Sequence, residues 1–350
     1  MIDNINYLCK EYFLNIKYIL SIFIFIIIIR FNLLKIKKKN SFINSQKYQQ
    51  KEFYDNNTFI IIKDDDCKIC GLMAYYKHYL VCINNYISLG YIPIIDLKSF
   101  PNILNGYNIT SLNVNPWEIF FNQPFGYELD SVLKNAKNIK YARCKFKRKQ
   151  LPYNIFLNAF LIYYWHIIAI NYIPIKNLIY NEAINKMNIL FKGSNNVLGI
   201  LIRGTDYLAR KPKKHPITPD SSIVINDIKL MDKNNNYNYY FIATEDDLIR
   251  NKFKGEFGKK LTFIKQNKIK YNYNKKYFLS HYKTFKGNTS NMKIYLINII
   301  ILSKCLDIIT ARTSGSIGAF ILSNGFRNSK VYFLGEYTIF FLLERMILFS

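Results

Sequence analysis

The chain has 350 residues, 50% of them apolar and 21% charged, with 14 Gly and 9 Pro. That composition excludes a disordered tail or a collagenous chain and gives room for about two folded domains. Lys and Arg number 49 against 23 Asp and Glu, a formal net charge of +26, which taken alone points to nucleic acid or an anionic membrane. Only nine of the 49 are Arg, the residue whose fixed fork reads phosphates and bases, so the excess of Lys is weak evidence for a specific nucleic-acid partner.

Tyr18 to Ile29 is an unbroken, largely apolar run, about 18 Å long as a helix, and Arg30 and Asn32 interrupt its continuation to Leu34. A full membrane crossing needs about 20 residues. With Lys35, Lys37, Lys38 and Lys39 following, residues 18–34 read as an interfacial or marginal membrane anchor that leaves the rest of the chain cytoplasmic. A buried amphipathic helix and a cleaved signal are the other two readings. The six cysteines are too sparse and irregular for a disulfide framework, which favours a reducing compartment, and Cys67-x-x-Cys70 has no second Cys or His pair at zinc-ligand spacing.

Residues 40–57 are polar and read as a linker. Beyond it the alternation is that of an α/β protein. Phe59–Lys63 is a β-branched strand, Gly71–Leu89 has helical spacing, and Tyr91–Leu97 is a second strand ending near Asp96. Phe100–Ala142 reads as loops and short helices, and Pro152–Met187 as apolar helix. A fresh series follows, with strands at Leu198–Arg203, Tyr239–Ala243, Leu261–Ile264, Asp307–Thr310 and Lys330–Leu334. Helices are expected at Ser221–Lys233, from Glu245, at Asn291–Lys304 and at Gly315–Ser323. This predicts two doubly wound halves meeting near residue 190, with a cleft between them and ligands outside the carboxyl ends of strands. The expected domains are 1–57, an apolar anchor helix and linker; 58–190, a first α/β domain; and 191–350, a second, Rossmann-like domain.

Three strand ends in the second half carry polar residues. Arg203-Gly204-Thr205-Asp206-Tyr207 places an Arg that can grip phosphate beside an Asp that can orient it. Thr244-Glu245-Asp246-Asp247 offers carboxylates, which can equally be helix caps. Thr310-Ala311-Arg312-Thr313-Ser314-Gly315-Ser316 leads into a helix whose N-terminus suits an anion, although the same residues make an ordinary N-cap. Together they describe a pocket for a nucleoside diphosphate. No G-x-G-x-x-G follows a strand and no Walker-type P-loop is present, which disfavours a dinucleotide dehydrogenase and a P-loop NTPase. The Asp64-Asp65-Asp66 run reads as a solvated turn.

From about Asp206 onward the chain resembles the fucosyltransferases of the α1,6 and protein-O-fucosyl group. The matching segments are Leu201-Ile202-Arg203-Gly204-Thr205-Asp206, His215-Pro216-Ile217, Ala243-Thr244-Glu245-Asp246 and Thr313-Ser314. Cys70-Gly71-Leu72, Tyr91-Ile92-Pro93, Asn115-Pro116-Trp117-Glu118 and Gln123-Pro124-Phe125-Gly126-Tyr127 resemble bacterial surface-polysaccharide members of that group. The resemblance implies a GT-B fold of two Rossmann-type domains and metal-independent, inverting fucosyl transfer from GDP-fucose to a glycan acceptor. By it, Arg203 neutralises the leaving GDP, Asp206 holds Arg203, Glu245 and Asp246 lie near the donor, and Thr313, Ser314 and Ser316 donate to the diphosphate. The chain departs from the pattern at Leu201, where the family has His, at Gly204, where it has a second Arg, and at Lys211, where the α1,6 branch has an acid. The base is therefore open among Tyr207, His215 and Asp220, and His78, His166 and His281 receive no role. Other nucleotide sugars, a non-catalytic relative and a basic nucleic-acid-binding protein are the competing readings.

Overall fold

A computed structural model describes residues 54–63, 70–109, 113–144, 151, 154–204, 207, 211, 215–265 and 288–337. The apolar segment at 18–34, Asp64–Asp66, Cys67, Thr205, Asp206 and His281 lie outside the described residues. Residues 58–350 group as one compact unit and residues 1–57 as another. Within 58–350 the described strands form two parallel sheets.

The first sheet has the order β2-β1-β3, from β1 (Thr58–Lys63), β2 (Ile92–Ile95) and β3 (Asn138–Arg143). β1 is the central strand, with its four inner residues buried, as an unbroken β-branched run requires. β2 contains Pro93, which has no N–H to give a ladder and is tolerated because β2 is an edge. Ile95 is instead held by side-chain amides. Gln123 accepts from its N–H (2.9 Å) and donates to its carbonyl (2.8 Å), and Asn115 Nδ2 donates to the same carbonyl (2.7 Å). Glu118 takes Gln123 Nε2 and the Leu129 N–H, both at 2.8 Å. The Asn-Pro-Trp-Glu and Gln-Pro-Phe-Gly segments thus dock a short helix, α2 (Pro116–Phe120), on the end of β2. β3 falls in a stretch whose sequence predicts loops and short helices; its Lys, Arg and Asn lie along an exposed edge, where the apolar pattern of a buried strand is absent.

Helix α1 (Leu72–Ser88) carries Tyr75, Tyr76 and Tyr79 into a cluster with Trp117 and Phe121, with Trp117 and Phe121 at 4.5 Å between ring centres. Cys82 on this helix is disulfide-bonded to Cys144, just past β3, and Cys70 is likewise disulfide-bonded. The expectation of unlinked thiols is corrected here. The partners stand 62 residues apart, and only the tertiary fold, which brings the residue just past β3 against α1, makes them neighbours.

After a short helix α3 (Leu129–Asn135), the apolar stretch of 152–187 is two helices, α4 (Ala159–Tyr172) and α5 (Asn177–Phe191), broken around Pro174. No helix among the described residues is long and apolar enough to cross a membrane.

The second sheet has the order β6-β5-β4-β7-β8, all parallel, from β4 (Val197–Leu201), β5 (Tyr239–Ala243), β6 (Leu261–Thr262), β7 (Asp307–Ala311) and β8 (Ser329–Tyr332). Helices α6 (Ser221–Asn235), α7 (Asp247–Phe257), α8 (Thr289–Leu302) and α9 (Ser314–Leu322) alternate with the strands, as read from the sequence. The crossovers run outward to β5 and β6 on one side and to β7 and β8 on the other. The winding therefore reverses between β4 and β7, which opens a crevice at their carboxyl ends.

Candidate functional site

Register fixes what meets at that crevice. Leu201 pairs with Ala243 on one side and Thr310 on the other. Two residues further on, where side chains return to the same face of a pleated strand, stand Glu245, Arg203 and Arg312. Ala311 pairs with Tyr332, so Phe333 continues the row. The side chains agree with this placement. Arg203 Nε lies 3.5 Å from Glu245 Oε1, and the Arg312 guanidinium lies 5.5 Å from the centre of the Phe333 ring.

Arg203 has 30% of its side chain exposed and Glu245 14%, so the charge pair borders the crevice instead of being sealed under it. Glu245 also accepts from the Gly204 N–H at 3.0 Å. It therefore holds Arg203 from one side and the following backbone from the other, the kind of orienting contact that the resemblance implies for Asp206, which lies outside the described residues. The guanidinium lies 5.1 Å from the Tyr207 ring centre, and Tyr207 meets His215 edge to face at 5.6 Å. His215 is carried on a strap that is fastened to the segment beyond β8. Tyr337 N donates to the His215 carbonyl (3.0 Å), Ile217 N donates to the Gly335 carbonyl (3.1 Å), and Pro216 bridges to Glu336.

Gly204 has a steric reason. A Cβ there would stand 2.5 Å from Asp246 Cβ and 2.6 Å from its Oδ2. Asp246 cannot retreat, because it is buried and its Oδ1 caps α7 by accepting from Leu248 N (2.9 Å) and Ile249 N (3.2 Å). Gly204→Ala is expected to cost about 1–3 kcal/mol by overpacking, measured as a lower denaturation midpoint with unchanged slope. A variant as stable as the parent would show that this approach is not tight.

The hydroxyls before α9 divide by task. Thr313 caps the helix, its Oγ1 accepting from Ser316 N at 3.1 Å. Ser316 is fully buried and gives its one proton to the Ala311 carbonyl at 2.5 Å, so it only accepts in its contacts with Thr310 (2.6 Å) and Thr313 (2.8 Å). Ser316, expected at the donor diphosphate, builds the turn instead. Ser314, the partly exposed first residue of α9, and the first-turn N–H groups are what the turn presents outward. Asp220 is also occupied: its carboxylate caps α6, and the Ser222 amide, ahead of the Ser222 hydroxyl, holds its pKa below the usual range.

Tyr295, in the middle of α8, escaped sequence reading. Its hydroxyl would stand 2.6 Å from a Cβ on Gly315, so it reaches the start of α9. Burial pushes this hydroxyl up to about 12, with Arg203 pulling it down and Glu245 pushing it up, so it is an O–H donor at neutral pH. A periodic apolar helix hides such a residue in sequence. A separate depression of about 530 Å³, lined by Phe191, Lys192, Tyr239, Lys259 and Lys260 among others, opens at the amino ends of β4 and β5. It is at the wrong edge for a doubly wound fold and lacks the convergent chemistry of the crevice.

No family model matches the chain, and no curated protein matches it. Solved structures do. The α1,6-fucosyltransferase NodZ soaked with GDP-fucose is similar at a TM-score of 0.46 and 11% identity, over 77% of this chain and 93% of that one. Fucosyltransferase NodZ from Bradyrhizobium aligns at 0.45 and 11%, over 77% and 94%. POFUT1 in complex with GDP-fucose aligns at 0.46 and 7%, over 80% of this chain and 98% of that one. At such identities and scores these remain likenesses of trace, and neither activity nor residue roles follow from them.

Proposed function

We propose that the chain is a glycosyltransferase that moves fucose from GDP-fucose to a glycan acceptor with inversion and without a metal, in surface polysaccharide synthesis. The observation that carries this reading is the Glu245–Arg203 pair beside the N-terminus of α9 at the crevice between β4 and β7. The four sequence motifs converge on that crevice. In the reaction the bond from the sugar C1 to the β-phosphate oxygen breaks and its electron pair leaves with GDP. The acceptor oxygen attacks C1 from the opposite face and loses its proton to a base. Arg203, held by Glu245, meets the charge developing on the leaving oxygen, where a preorganised donor is worth most. Tyr207 and His215 are the base candidates next to Arg203, while Asp220 is committed to its helix cap.

Association with a membrane through residues 18–34 belongs to the same proposal. The bonded Cys82–Cys144 pair favours an oxidising compartment for the folded unit over the cytoplasm expected from sequence. A melting screen against GDP, UDP, dTDP and CMP tests the donor, because a ligand bound only by the folded state raises its apparent stability. GDP at 100 times its Kd is expected to add about 2.7 kcal/mol, the others little, and GDP-fucose is expected to release GDP slowly in chelator. Preference for another nucleotide would replace GDP-fucose as donor; stabilisation by none of them would overturn the enzyme reading.

A further inference from the structure

We infer that Arg312 is a second cation for the donor diphosphate, set beside Arg203 across the β4–β7 crevice. The inference rests on the nucleotide-sugar reading and names a residue that reading does not require. Arg203 brings little uncompensated charge to the crevice, since its guanidinium is paired with Glu245. A nucleoside diphosphate carries more than one negative charge, so a site built on Arg203 alone would leave most of it unmatched.

Arg312 has the opposite balance. Its Nη2 donates to the Gly335 carbonyl at 2.9 Å and its face lies on the Phe333 ring. Among the described residues its buried Nε has no hydrogen-bond partner, and no carboxylate pairs with the guanidinium. A buried N–H left unbonded costs free energy that an incoming acceptor removes. The guanidinium is the side chain suited to that acceptor, because its fork takes two phosphate oxygens at once. Two residues on, α9 begins, and its amino end adds positive potential at the same place.

Packing also sets the direction. The Gly335 carbonyl that accepts from Arg312 accepts from Ile217 N as well, so Arg312 and the His215 strap are tied to one backbone oxygen. Phe333 occupies one face of the guanidinium. The guanidinium is therefore held in place before any ligand arrives, which lowers the ordering cost of binding.

The test uses the full-length chain, titrated calorimetrically with GDP, GMP and guanosine, for the parent, Arg312→Gln and Arg312→Lys. Gln keeps an N–H for Gly335 while removing the charge. Arg312→Gln is expected to weaken GDP about 10- to 100-fold, to weaken GMP less and to leave guanosine unchanged, with Lys between Gln and parent. GDP affinity in Arg312→Gln within twofold of the parent overturns the inference and leaves the nucleotide-sugar reading standing. Failure of the parent itself to bind any nucleoside diphosphate overturns both. If the variants do not fold, arginine modification by phenylglyoxal in the parent decides the matter by peptide mass mapping. Saturating GDP or inorganic pyrophosphate is expected to protect Arg312 and guanosine not to; equal labelling of Arg312 with and without GDP overturns the inference.

Discussion

Arg203→Ala is expected to lower GDP-fucose turnover by about 10²- to 10³-fold, or about 3–4 kcal/mol of transition-state stabilisation, while the protein melts within a few degrees of the parent. The asymmetry follows from where Arg203 lies. Its side chain is 30% exposed, and an ion pair that open to water contributes only about 0–1 kcal/mol to folding. Glu245 would keep the Gly204 N–H as a partner, so no carboxylate is stranded. In the proposed reaction the same guanidinium faces the leaving diphosphate, where the charge it meets grows as the sugar departs. Arg203→Lys should fall between, since it keeps a charge and loses the fork. The measurement is steady-state GDP release with a melting curve on the same preparation. Turnover within a few-fold of the parent, at parent stability, would remove Arg203 from the mechanism.

Asp307→Ala is expected to do the reverse, costing about 3–5 kcal/mol of stability with GDP affinity unchanged in the protein that remains folded. Asp307 is completely buried at the amino end of β7, the edge opposite the crevice. Its carboxylate accepts from Arg327 at 3.2 and 2.5 Å, from Asn328 N at 2.7 Å and from the buried Tyr237 hydroxyl. Removing it strands the Tyr237 hydroxyl. For a domain of this size the melting temperature should fall by roughly 10 °C, read by calorimetry.

The pH dependence has a definite sign. Burial alone would raise the Asp307 pKa, but Arg327, Tyr237 and the Asn328 amide outweigh it and hold the carboxyl below its usual range. A depressed folded pKa contributes stability that is complete above the unfolded value of about 3.9 and is lost as pH falls through the folded one. The parent should therefore lose stability below about pH 4 along a slope that Asp307→Asn lacks. Equal slopes in urea titrations would mean that Asp307 is not the group responsible.

Much of the second sheet was legible in the chain. Tyr239–Ala243 and Asp307–Thr310 are short β-branched or aromatic runs bounded by polar residues, and they became β5 and β7 within a residue of their expected ends. β3 was not legible, because an exposed edge strand has no buried face to mark it. Among the site residues, Arg203 and Glu245 were found because charged residues directly after a buried strand stand out. Asp246, Asp220 and Ser316 carry side chains that serve caps and ligands alike, and sequence cannot say which task consumes their hydrogen bonds. They serve the backbone here.

The sequence by itself determined the alternation of strands and helices and the chemistry waiting at the strand ends, since both depend on neighbours within a few residues. Only the tertiary structure decided the strand order and hence the reversal between β4 and β7. It decided that position 204 has no room for a side chain beside Asp246, that Cys82 meets Cys144, and that Arg312, about a hundred residues from Arg203, stands level with it. These are long-range contacts, and pairing two distant strands in one register is a property of the packed sheet that no local pattern encodes.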